Sequence, residues 1–73
     1  MPVTVSADHP GRVVGVHVVP GDAVAECRAL LTVEDCGLQL TVAAGDPGII
    51  VAVHVSAGDR IEPGQPLVDI STE

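Results

Sequence analysis

The chain is 73 residues long with a formal net charge of -7, three arginines (Arg12, Arg28 and Arg60), no lysine, and no Phe, Trp or Tyr. That length allows one domain, which buries only about 60% of its unfolded surface and must build its core from aliphatic side chains. The acidic balance excludes nucleic acid and anionic membrane surfaces as partners, the missing aromatics exclude base-stacking platforms, and no apolar run approaches the roughly 20 residues of a membrane span.

Val14-Gly15-Val16-His17-Val18 alternates large apolar with small or polar residues, as a half-buried strand does, and β-branched residues dominate it. Pro20-Gly21 suits the two central positions of a type II turn. Residues 28–35 read as an extended segment, and Glu34-Asp35-Cys36-Gly37-Leu38 as the tip of a tight turn. Asp46-Pro47-Gly48 is a turn signal ahead of a second alternating run, Val51-Ala52-Val53-His54-Val55. Glu62-Pro63-Gly64-Gln65-Pro66 closes the series with another turn. No window carries a sustained helical period with caps.

The tight turn lies between two halves that repeat. A shift of 37 positions aligns Thr4-Val5 with Thr41-Val42, Ala7 with Ala44, Pro10-Gly11 with Pro47-Gly48, and Val14 with Val51. It also aligns Val16-His17-Val18 with Val53-His54-Val55, Gly21-Asp22 with Gly58-Asp59, and Leu30 with Leu67, without a gap. Val13/Ile50, Val24/Ile61 and Val33/Ile70 are conservative pairs in the same register. Two units are too few for a solenoid, so the repeat predicts a single all-β domain over 1–73, with halves at about 3–36 and 40–73 related by a pseudo-two-fold axis. Eight or so short strands with closely spaced turns predict a small sandwich or flattened barrel. By the same symmetry the Cys36-Gly37 turn should occupy, at one end of the molecule, the position that the termini occupy at the other.

Cys27 and Cys36 are not a C-x-x-C pair, and an extended segment between them would separate the sulfurs too far for a disulfide. Two free thiols are expected. Met1-Pro2-Val3 lacks the basic start of a signal peptide, which together with the thiols makes the cytoplasm the expected compartment.

The run from Gly11 to Ile70 resembles the biotinyl/lipoyl attachment domains, the swinging-arm carriers of biotin-dependent carboxylases and 2-oxo acid dehydrogenase complexes. The resemblance rests on Gly11-Arg12-Val13, Gly21-Asp22-Ala23-Val24, Leu30 to Glu34, Gly48 through Ile50, and Gly58-Asp59-Arg60-Ile61-Glu62-Pro63-Gly64-Gln65-Pro66-Leu67. It implies two four-stranded antiparallel sheets in a flattened barrel, the hammerhead fold, with the modified hairpin at one end. In that family the hairpin reads E-A-M-K-M in the biotin version and D-K-A in the lipoyl version. Counted from Glu34, the acceptor lysine falls on Gly37, which has no side chain. Cys36 replaces the Met or Asp before the acceptor, Leu38 keeps the apolar character of the biotin version, and Gly45 replaces the usual proline after Ala44. Cys27 stands where the second half has Gly64, so a positive φ in that turn would strain it.

Among candidate sites, Cys36 is the sharpest: an exposed thiol could carry a group, although Glu34 and Asp35 directly before it disfavour the thiolate. His17 and His54 are repeat-related and should point to solvent, and His9 lies by the Pro10-Gly11 turn. No ligand-spaced cluster surrounds any of them, so no metal is expected. Asp22 and Asp59 read as turn-stabilising residues. Nothing pairs an acid with a base or a nucleophile with a base, so catalytic residues are not expected.

The expectation is a non-catalytic, carrier-type module without covalent biotin or lipoate. Glu34, Asp35 and Leu38 at the hairpin tip would face a protein partner of carboxylase, ligase or dehydrogenase-complex type, and the domain itself would be a monomer or weak dimer. Two alternatives stand beside it: a biotin or lipoyl carrier whose lysine at position 37 has been replaced, and a thiol carrier using Cys36. The lipoyl-like domains of membrane fusion proteins require a long helical hairpin between the half-motifs, for which residues 34–41 leave no room.

Overall fold

The structure, a computed structural model, describes residues 2–72; Met1 and Glu73, the ends of the expected domain, lie outside the described residues. Eight strands form: β1 (Pro2–Ser6), β2 (Gly11–Val16), β3 (Ala23–Val24), β4 (Ala29–Asp35), β5 (Leu38–Ala43), β6 (Gly48–Val53), β7 (Arg60–Ile61) and β8 (Pro66–Ser71). They make two four-stranded antiparallel sheets, ordered β1-β8-β6-β3 and β5-β4-β2-β7. The sequence shift of 37 turns the first order into the second, strand for strand, which is the predicted pseudo-two-fold.

Each sheet draws two strands from each half, so neither half owns a sheet. The core shows the same interlocking. Its fourteen buried apolar residues are seven pairs spaced by 37: Ala7/Ala44, Val13/Ile50, Val18/Val55, Val24/Ile61, Leu30/Leu67, Leu31/Val68 and Val33/Ile70. These side chains fill the space of about 10 Å between the sheets. No described polar side chain is buried among them.

Four hydrogen-bonded turns, in two repeat-related pairs, link β2 to β3, β3 to β4, β6 to β7 and β7 to β8. In Val19–Asp22 the Asp22 N–H donates to the Val19 carbonyl at 3.1 Å while the Asp22 carboxylate accepts from the Val19 N–H at 3.0 Å. Ser56–Asp59 repeats this at 3.0 and 2.8 Å, with Gly21 and Gly58 at φ 99° and 97°. Asp22 and Asp59 are therefore turn residues, as the sequence indicates. The other pair is Ala25–Arg28 and Glu62–Gln65, closed at 3.1 Å each. Gly64 takes φ 87° there, and Cys27 is carried to φ 70° in the equivalent place. The expected strain at Cys27 is present.

Gly11 is required for a different reason. A Cβ there would stand 2.7 Å from Val33 Cγ1 and 2.8 Å from the Glu34 carbonyl oxygen, so only glycine lets β2 pass this close to β4. Gly48 meets Ile70 and the Ser71 carbonyl in the symmetric crossing.

Candidate functional site at the hairpin end

Asp35 and Leu38 are the last register partners of β4 and β5, which leaves Cys36 and Gly37 as a two-residue loop. Both have positive φ, 51° and 85°, the signature of a type I′ turn, whose twist matches that of the flanking strands. Asn or Asp usually holds the first of these positions; here a cysteine does, at a cost of roughly 1–2 kcal/mol for a left-handed non-glycine residue. The sequence predicts the turn at this place but gave no sign that Cys36 is left-handed, because the repeat offers no equivalent turn for comparison.

The tip is exposed. Cys36, Gly37 and Glu34 all face solvent, Asp35 is half-buried, and Leu38 is 67% exposed, so the expected interaction residues Glu34, Asp35 and Leu38 cluster around the loop. A Cβ built on Gly37 would meet nothing within 4 Å. The Asp35 carboxylate accepts a hydrogen bond from the Cys36 thiol and repels a thiolate, and both effects raise the Cys36 pKa above the ordinary thiol value. The thiol is thus held protonated, as the neighbouring acids suggest in the sequence. Cys27 and Cys36 are both free.

Behind the tip, an open cleft of about 430 Å³ runs from Cys36 to the edge of the same sheet, lined by Arg12 and Arg60 and by the carboxylates of Glu34, Asp35 and Glu62. Cross-strand register sets Gln39 beside Glu34, Glu34 beside Arg12, and Arg12 beside Arg60. Because Val13 and Ile61 point into the core, Arg12 and Arg60 point out. Forty-eight residues separate them along the chain, and nothing local signals that they meet.

The histidines sit elsewhere. His17 Nε2 lies 2.8 Å from Thr32 Oγ1, and His54 Nε2 lies 3.0 Å from Asp69 Oδ2 in the repeat-equivalent place. Asp69 Oδ1 also accepts from the Thr4 hydroxyl at 2.9 Å. The His54 and Thr4 hydrogen bonds hold the Asp69 carboxyl below its ordinary pKa. This surface network, linking β1, β8 and the segment after β6, was not foreseen, although Asp69 aligns with Thr32 in the repeat. Among the described residues no group of three or more His, Cys, Asp or Glu side chains converges as metal ligands do.

Comparison with known proteins gives a consistent picture. A family described as "Biotin-requiring enzyme" matches residues 1–70. Curated protein sequences give no match. Among solved structures, a single-chain, multi-domain long-chain acyl-CoA carboxylase superposes with a TM-score of 0.91 at 26% identity, over 99% of this chain and 7% of that one. The urea carboxylase of Kluyveromyces lactis gives 0.90 at 20% identity, over 97% and 6% of the two chains. The lipoyl domain of the 2-oxoglutarate dehydrogenase complex of Azotobacter vinelandii gives 0.80 at 23% identity, over 94% and 95%. The chain therefore spans less than a tenth of the length of the two carboxylases and nearly the whole length of the lipoyl domain. With its family match over 1–70, its eight-stranded two-fold architecture and its hairpin closing one sheet, the chain belongs to the biotin/lipoyl family of carrier-type domains.

Proposed function

We propose that this domain is a carrier-type module without a covalent arm, which docks through its hairpin end onto a protein partner in a carboxylase or acyltransferase-type complex. The observation that carries the reading is Gly37, which occupies the second position of the hairpin loop, where the resemblance places the acceptor lysine. Biotin and lipoate are attached as amides of a lysine amine. The 73 residues contain no lysine, so they do not fit either group. What is retained is the display: an intact fold with a tight, solvent-facing tip of Glu34, Asp35 and Leu38. The free thiols of Cys27 and Cys36 suit a reducing cytoplasm.

The test is the intact mass of the protein purified without reductant from its native host, followed by cross-linking from position 38. A bare-chain mass and a specific cross-linked partner support the reading. A mass increased by biotin or lipoate overturns it. An added mass removed by reductant or hydroxylamine would place a carried group on a thiol and turn attention to Cys36. That outcome is not expected, because Asp35 keeps the Cys36 thiol protonated.

One observation favours a second reading, a carrier whose acceptor has been replaced. Side-chain space at position 37 is open, and the hairpin is otherwise complete. A Gly37→Lys variant offered to a biotin ligase and a lipoate ligase separates the two: efficient modification shows that the acceptor surface survives, and no modification shows divergence beyond the single residue.

A further inference from the structure

Each sheet ends in two edge strands, and three of the four are defended against pairing with another chain. β3 and β7 are two residues long, and β7 also carries Arg60. β1 contains Pro2, which has no N–H to offer. β5 is six residues long and has Gln39 in the repeat-equivalent place, and no residue from Gly37 to Gly45 is charged. The register shift between β4 and β5 falls at Leu30 on β4, so the alternation of β5 is unbroken. Leu38 closes the hairpin loop opposite Asp35. At the far end the Ala44 N–H donates to the Arg28 carbonyl at 2.9 Å, and the Ala44 carbonyl accepts from the Cys27 N–H at 2.8 Å. The main-chain groups of Leu38, Leu40, Val42 and Ala44 therefore turn towards β4, and those of Gln39, Thr41 and Ala43 turn outwards. All three of these residues are exposed, and among the described residues β5 pairs with no strand but β4. Along the inner side of this edge lies an open cleft of about 360 Å³, walled by Val5, Val33, Leu40, Val42 and Ile61, in which Asp8, next to His9 in the chain, is the one carboxylate.

We propose that β5 is a self-association edge, at which two copies of the chain pair their β5 strands antiparallel about a two-fold axis at Thr41. The two four-stranded sheets then become one continuous sheet. In this register Thr41 faces Thr41 of the second copy and Gln39 faces Ala43, so the outward groups of three residue pairs exchange about six main-chain hydrogen bonds. Leu40 falls beside Val42 of the second copy on the core-facing side, because their own partners in β4, Val33 and Leu31, are buried. These apolar side chains close over the mouths of the two clefts. Charge selects the same edge. Each copy carries -7, so two copies repel, and the paired β5 strands set no ionised side chain opposite another. A six-residue strand pair buries less than the roughly 800 Å² per partner of a stable interface, so the dimer is a weak one, with a Kd on the order of 0.1–1 mM. The inference goes beyond the docking reading and stands or falls independently of it.

The experiment is a dilution series of the isotopically labelled domain from about 2 mM to 20 μM, followed by amide shifts and translational diffusion. The amides of Gln39, Thr41 and Ala43 should shift with concentration as diffusion slows, while Thr4 and Ser6 on the β1 edge remain still. In a mixture of labelled and unlabelled chains, Leu40 Hα should contact Val42 Hα of the second copy. Gln39→Pro copies the residue that the fold accepts at position 2, and by removing two of the six bonds it should weaken the dimer about fivefold or more. Thr41→Glu sets two carboxylates face to face and should weaken it at least as much, with the amide spectrum confirming that each variant is folded. Raising the salt should tighten the dimer, because it screens the repulsion between the copies. Diffusion unchanged at 2 mM, equal shifts on the β1 edge, a dimer indifferent to both substitutions or a dimer loosened by salt would each overturn the proposal. A docking partner captured by a domain that stays monomeric would refute self-association alone. Self-pairing in a domain found biotinylated in its host would refute the docking reading alone.

Discussion

Replacing Cys27 by glycine should stabilise the protein even though it removes a side chain. Cys27 is held at φ 70° in the turn Ala25–Arg28, and the repeat-equivalent turn uses Gly64 at φ 87°. A left-handed backbone costs an L-residue roughly 1–2 kcal/mol. Glycine removes that strain but adds about 0.4–1 kcal/mol of unfolded-state entropy. The thiol is exposed and unbonded, so little packing is lost, and the bond from the Cys27 N–H to the Ala44 carbonyl at 2.8 Å needs only the backbone. The net gain lies between about 0 and 1.6 kcal/mol, with a midpoint of about 0.8 kcal/mol that in a domain of this size raises the Tm by roughly 3–6 °C. Thermal unfolding followed by far-ultraviolet circular dichroism is the suitable assay, since a chain without Trp or Tyr has no intrinsic fluorescence to follow. Cys27→Ala is the control, because it removes the sulfur and keeps the strain. If Cys27→Gly unfolds at or below the temperature of Cys27→Ala, the strain argument is wrong.

Gly48→Ala should destabilise by about 1–3 kcal/mol, because its Cβ would press on Ile70 and the Ser71 backbone. Gly15→Ala, with nothing nearer than 3.7 Å, should cost far less; chemical denaturation of the two variants decides. The depressed Asp69 carboxyl contributes stability that is present above the unfolded carboxylate value of about 3.9 and lost as the pH falls through its lower folded value. Asp69→Asn should therefore reduce the loss of stability with acidification in that range, and a Tm–pH curve as steep as that of the parent protein would contradict the assignment. Asp35→Asn should lower the Cys36 pKa and speed its alkylation near pH 8, measured by mass spectrometry of the Cys36 peptide; an unchanged rate would show that Asp35 does not hold the thiol.

Much of this molecule was legible before its structure, because its information is local and stated twice. Alternating valines around His17 and His54 mark strands, and Pro20-Gly21 and Pro63-Gly64 mark turns. Every core residue has a counterpart 37 positions away, so each half corroborates the other. The strain at Cys27 could be anticipated for that reason, since Gly64 shows what the turn demands. Cys36 aligns with Glu73, outside the described residues, so the repeat shows no turn to compare it with, and its left-handed φ emerged only from the folded loop.

By itself the sequence determined the all-β class, the two-fold repeat, the turn positions and the missing amine at position 37, all of which follow from side-chain alternation, backbone preference and covalent chemistry. The tertiary structure alone decided which strands become neighbours. Each sheet takes strands from both halves, and its register is set by how the paired core residues interdigitate between the sheets. That register places Arg12 against Arg60, and Thr4, His54 and Asp69 in one network. Such contacts between residues distant in the chain depend on the packing of the whole core, and no short stretch of sequence encodes them.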